Sequence, residues 1–195
     1  MTNTLRLFIS LNIRQQIRNA LNHRISILQQ KGFDEIRWTK PQKIHLTLQF
    51  LGNVHKSLVC KINAQLSQIA TSVQPFVVGL SNIGLFPHAE NPRIVWIGIR
   101  ENMKTLDKLR SLSELKLSTL GIASEKNSYK PHLTLGRVNR NTMISANRLT
   151  ALMQELTCGH LKLEWKIQEL HLIHSRPTSN RFAYRNIGIF RLGRK

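Results

Sequence analysis

Two tetrapeptides in this 195-residue chain are identical: His45-Leu46-Thr47-Leu48 and His132-Leu133-Thr134-Leu135. A second copy by chance is expected roughly one time in a hundred, so an internal repeat explains it better. Histidine gives or takes a proton near neutrality, its ordinary pKa being about 6.5. Two histidines in matched contexts can divide the work, one neutral as base and the other protonated as acid. That division suits in-line displacement at phosphorus, where the attacking and leaving oxygens lie on opposite sides. Threonine two residues on supplies a hydroxyl donor to a phosphoryl oxygen as charge develops there. One His-x-Thr on a solvated strand face is unremarkable, since threonine favours strands. The inference rests on its duplication together with the leucines.

Elements must hold these groups in place. Each copy alternates polar with apolar, the period-2 pattern of a half-buried strand. His45 and Thr47 then share one face, as do His132 and Thr134, with the leucines turned to the core. Arg137 stands five residues after His132. Strict alternation puts it on the opposite face, unless a bulge redirects it, and Gly136 suits a bulge. A guanidinium there would suit a phosphate.

Around the two copies, strands are predicted over 5–10, 36–38, 76–80, 93–100, 161–165, 168–174 and 182–190. Helices are predicted from Asn12 as cap to about Gln30, over 57–71, from Asn102 as cap to about Leu120, and over roughly 143–156. Residues 81–92, with Pro87, Asn91 and Pro92, read as a loop. Apolar residues on both faces make 93–100 a central strand. The mixed order and the run of late strands indicate an α+β fold with largely antiparallel sheets. The length suits one domain spanning 1–195.

The balance of 29 Lys+Arg against 10 Asp+Glu, a formal +19, points to a polyanionic partner, above all nucleic acid. No apolar run reaches transmembrane length and none has the form of a signal-peptide core, so no membrane partner and a cytoplasmic location are expected. Cys60 and Cys158 are isolated and read as buried thiols. No glycine-rich nucleotide-cofactor motif and no serine-nucleophile motif occurs. His171 and His174, three apart on a strand, face opposite sides and should not chelate together; His23, His55, His88 and His160 read as surface residues. Phe8, Trp38, Phe86 and Trp96 could stack on a base, although strand aromatics usually belong to cores.

At the repeated motifs the sequence resembles the two-histidine phosphoesterases, in the branch of RNA 2′,3′-cyclic phosphodiesterases also called 2′-5′ RNA ligases. The likeness extends over Leu7-Phe8-Ile9, Arg37-Trp38, Pro41, Phe50-Leu51-Gly52, Phe86-Pro87, Pro92 to Gly98, Pro131 to Arg137 and Leu170 to Ser175. It implies a bilobal single domain with two antiparallel sheets around a central cleft, helices outside, and a pseudo-two-fold. It implies hydrolysis of an RNA 2′,3′-cyclic phosphate end to a 2′-phosphate, with no metal and no cofactor. His45 would be the proton donor and His132 the proton acceptor, roles that the near-symmetric repeats themselves leave open. Thr47, Thr134 and Arg137 would bind the phosphate. The family often carries an arginine at the last position. A monomer with no protein partner is expected. The alternatives are a 2′-5′ ligase or 2′-5′-oligonucleotide phosphodiesterase of the same fold, and a non-catalytic basic RNA-binding module.

Overall fold

The computed structural model describes residues 3–123, 128–139, 142, 144–157, 163–178 and 181–193. The chain runs β1 (Thr4–Leu11), α1 (Gln15–Gln30), β2 (Ile36–Trp38), a 3-10 turn at Pro41–Lys43, and β3 (Leu46–His55). It continues through α2 (Val59–Thr71), β4 (Phe76–Phe86), β5 (Ile94–Arg100), α3 (Met103–Ser118), β6 (His132–Val138) and α4 (Ala146–Thr157). Three strands finish it: β7 (Glu164–Ile167), β8 (Glu169–Thr178) and β9 (Arg181–Arg191).

Helical spacing sets the inward stripes. Ile17, Leu21, Ile25 and Leu28 are buried on α1, and Leu106, Leu109 and Leu117 on α3. Gly32 ends α1 with φ +72°, a conformation costly for any residue with a Cβ. There the Phe33 amide donates to Leu28 and the Gly32 amide to Gln29, a paired closure of the last carbonyls.

The strands form one antiparallel sheet in the order β7-β4-β5-β6-β3-β1-β8-β9, with β2 paired to β6. At its middle, β3 and β6 meet only at Leu46 and Leu133. The sheet is therefore two half-sheets joined by one bridge, the expected pair of antiparallel sheets flanking a cleft. The order β1-α1-β3-α2 in one half recurs as β5-α3-β6-α4 in the other, an approximate two-fold. Helices pack on the face that carries the leucines, and the opposite, concave face is left open.

Some local expectations fail for physical reasons. β4 does not stop at Leu80. A register shift between Leu80 and Ile83 absorbs one residue, and the strand runs on to Phe86. Asn12 does not cap α1; its carboxamide oxygen accepts from the Gln168 and Glu169 amides and fixes the β7–β8 turn. Asn102 precedes α3 in a left-handed conformation, and its amide bonds the Val77 carbonyl instead of capping. Cys60 is exposed rather than buried, since the apolar stripe of α2 (Ile62, Leu66, Ile69) turns it outward. Cys158, His160 and the predicted start of the strand at 161–165 lie outside the described residues.

Candidate active site

Leu46, Leu48, Leu133 and Leu135 are all at most 2% exposed, while His45, Thr47, His132 and Thr134 line one cleft on the other face. The Leu46–Leu133 bridge makes this arrangement. Continuing the antiparallel register from it sets His45 level with Thr134 and Thr47 level with His132. The cleft has a volume of about 1540 Å³, larger than the roughly 300–1,000 Å³ of an ordinary small-molecule pocket.

The two histidines are held alike. His45 Nδ1 lies 2.6 Å from the Lys43 carbonyl, and His132 Nδ1 lies 2.7 Å from the Lys130 carbonyl. A carbonyl only accepts, so each Nδ1 carries the proton and each Nε2 is left to accept or, when the ring is charged, to donate. Each ring also packs against two aromatics. His45 lies 4.9 Å from Phe8 on β1 and 5.3 Å from Tyr184 on β9, centroid to centroid. His132 lies 5.1 Å from Phe86 on β4 and 5.8 Å from Trp96 on β5. Phe86 and Trp96 stack on each other at 4.8 Å. Gly84 permits this, because a Cβ there would lie 2.0 Å from the indole.

Burial holds both imidazoles below their ordinary pKa. For His45 it outweighs the opposing Lys43 carbonyl, and the charges of Arg18, His132 and Arg137 add to it. For His132 it outweighs the Lys130 carbonyl, and Arg137 adds to it. Arg18, on α1, donates to the Pro41 carbonyl at 2.8 Å and to the Ile44 carbonyl, so it secures the turn that delivers His45. Behind the other motif, Tyr129 donates to the Thr47 carbonyl at 3.1 Å under the Arg110 guanidinium, 4.8 Å from the ring centre.

Arg137 does reach the cleft. On β6 the pairing steps from Gly136 opposite Val95 to Thr134 opposite Trp96, so Leu135 is an extra residue. This bulge resets the alternation and turns Arg137 to the side of His132 and Thr134. The bulge recurs on β3, where Gln49 opposes Ile9 and Thr47 opposes Ser10, leaving Leu48 extra. The residue that matches Arg137 by position is therefore Phe50, which is 49% exposed and lines the cleft. Tyr184 and Phe182 line it too, and Arg6 lies over the Phe182 ring at 5.3 Å. Sequence reasoning missed Phe50, Tyr129, Phe182 and Tyr184. Phe50 alone carried a signal, since it follows His45 by the same interval as Arg137 follows His132.

His23, His55 and His88 do not line this cleft. His23, His55 and His88 are exposed; His55 caps the turn into α2, and His88 lies 2.9 Å from Glu90. Among the described residues no three His, Cys, Asp or Glu side chains group as metal ligands.

Fold and site define an α+β protein with a pair of His-x-Thr strands facing each other across one cleft. The sequence profile of the 2′-5′ RNA ligase superfamily matches residues 15–178, and the chain belongs to that family. It is 30% identical over 186 residues to an RNA 2′,3′-cyclic phosphodiesterase of Archaeoglobus fulgidus, covering 95% of this chain and 99% of that protein. It is 28% identical over 158 residues to one of Aquifex aeolicus, covering 80% of this chain and 82% of that protein. Among solved structures, a Thermus thermophilus protein superposes with a TM-score of 0.80 at 21% identity, covering 97% of this chain and 98% of that chain. Escherichia coli LigT complexed with 3′-AMP superposes with a TM-score of 0.71 at 22% identity, covering 98% and 99%.

Proposed function

We propose that this protein is an RNA 2′,3′-cyclic phosphodiesterase that opens the cyclic phosphate to a 2′-phosphate. The observation that carries this reading is the matched pair of imidazoles. Each has its Nδ1–H fixed on a backbone carbonyl, its Nε2 without a hydrogen-bond partner among the described residues, and a threonine lining the same cleft. The relatives named above support the substrate class.

The roles follow from in-line geometry. His132 Nε2 takes a proton from water as the water oxygen bonds to phosphorus. The bond to the 3′ oxygen breaks, and His45 Nε2 gives that oxygen its proton. One imidazolium is consumed and one formed, so proton exchange with solvent resets the pair. The free protein favours neutral rings, which makes His132 ready as base. The bound phosphate anion favours the charged form of His45 and so readies the acid. Thr47 and Thr134 donate to the non-bridging oxygens, and Arg137 balances the charge gathering on them. Phe50, Phe182 and Tyr184 offer faces on which RNA bases stack.

We further propose a monomer that folds as one domain and acts in the cytoplasm without metal or cofactor. Proton transfer and hydroxyl donors suffice for the chemistry. Among the described residues no helix is long and apolar enough to cross a membrane. The test is turnover of an oligonucleotide with a 2′,3′-cyclic end, followed by product mapping. A 2′-phosphate supports the reading, a 3′-phosphate contradicts the assigned leaving group, and no turnover favours a binding module. Turnover confined to 2′-5′-linked oligonucleotides assigns the same site another substrate.

A further inference from the structure

Past His45 and Tyr184 the concave face continues into a second cavity of about 500 Å³, which shares Phe8, Lys43, His45 and Tyr184 with the main cleft. Such a volume fits a nucleotide rather than a bare ion. Its walls carry Arg14, Arg18 and Lys43. Among the described residues, Arg18 bonds two carbonyls and no carboxylate, and Lys43 donates to the Phe182 carbonyl at 2.7 Å. Glu169 is the one acid among the described lining residues, and its carboxylate already lies 3.0 Å from His171 and 3.8 Å from Arg191. Ser10 and Asn186 add hydrogen-bonding groups. The cavity is thus open, roomy and cationic.

At the related place in the other half of the molecule the arginine is already paired with acids. By the two-fold, the passage from β1 into α1 corresponds to the passage from β5 into α3. There Arg100 pairs with Glu101 and, at 2.9 Å, with Glu164, while its Nε donates to the Leu80 carbonyl. Asn102 is bonded to Val77. Arg100 is thus neutralised by two carboxylates, whereas Arg18 faces none among the described residues. The asymmetry is not imposed by the repeat, since the repeat would make the two ends alike.

We propose that the second cavity is a subsite for the phosphodiester joining the terminal nucleotide to its neighbour. The RNA strand then leaves the active site past His45 and not past His132. This rests on the phosphodiesterase reading above. A phosphodiester carries a permanent negative charge, and guanidinium groups match its oxygens in geometry and sign. Arg14 is the exposed cation at the rim, placed to meet it.

The experiment compares adenosine 2′,3′-cyclic phosphate with a trinucleotide ending in a 2′,3′-cyclic phosphate, in the wild type, Arg14→Glu and Arg14→Gln. The ratio of kcat/KM, trinucleotide over mononucleotide, is expected to fall about tenfold in Arg14→Glu, through KM, and by less in Arg14→Gln. An unchanged ratio in both variants, each shown folded by its melting temperature, overturns the subsite. So does an equal loss on both substrates, which would assign Arg14 to the main cleft. If the wild type turns over neither substrate, the phosphodiesterase reading fails, and binding decides the subsite. Selective weakening of a trinucleotide 2′-phosphate over adenosine 2′-phosphate by Arg14→Glu supports it, and equal weakening overturns it.

Discussion

Gly136→Ala tests how Arg137 comes to face the cleft. A Cβ on Gly136 would lie 2.5 Å from Ile36 Cγ2 and 3.1 Å from Trp38 Cε3. The first distance falls short of ordinary carbon contact by about 1 Å. Ile36 is 3% exposed and branched at Cβ, so it cannot swing aside. Either β2 is pushed off β6 or the bulge recoils toward the cleft. Overpacking of this kind costs about 1–3 kcal/mol. In a chain of this length that lowers the melting temperature by about 2–12 °C. Arg137 directly follows Gly136 and its position depends on the bulge at Leu135, so its guanidinium leaves its place. Loss of a hydrogen bond to a charged group is worth about 1.5–3 kcal/mol, or a drop in kcat/KM of about 10- to 160-fold. Because both changes act through one group, Gly136→Ala/Arg137→Ala should be no slower than Arg137→Ala alone. The assay is calorimetry beside steady-state hydrolysis of a cyclic-ended oligonucleotide. Wild-type stability and rate in Gly136→Ala, or full additivity in the double variant, would refute the role given to the bulge.

Other expectations follow from the same geometry. Thr47→Val and Thr134→Val keep shape and remove one donor each, so kcat should fall about 10²- to 10³-fold with little change in melting temperature; a rise in KM with kcat unchanged would contradict this. Both histidines sit below the ordinary value of about 6.5 in the free protein, so kcat/KM should peak on the acid side of that value. The peak of kcat should lie at higher pH, because bound phosphate favours the imidazolium; a kcat/KM optimum well above pH 7 would count against the assignment. EDTA should leave turnover unchanged, since the proposed proton transfers use imidazoles; inhibition reversed by zinc would point to a metal instead.

Much of the site was legible because period 2 is a strong constraint. Once Leu46, Leu48, Leu133 and Leu135 are inward, the His/Thr pairs have one direction left. The bulge was legible from Gly136, although its twin after Thr47 was not, because Leu48 and Gln49 carry no glycine signal. The reach of β4 to Phe86 was hidden by Ser81 and Asn82, turn formers that here sit in a strand irregularity. Asn12 and Asn102 misled in another way. Their helices begin without side-chain caps, and tertiary partners claim both amides. Tyr184 and Phe182 come from β9, distant in sequence, and only the β1–β8–β9 pairing brings them to His45.

The central claim is that two imidazoles pass protons across one phosphorus. The most direct measurement is hydrolysis of a cyclic-ended oligonucleotide by His45→Ala, His132→Ala and the double variant, with melting temperatures taken alongside. Each single variant should lose nearly all turnover, the double variant should lose hardly more, and all three should stay folded. Near-wild-type turnover in either folded single variant would contradict the claim.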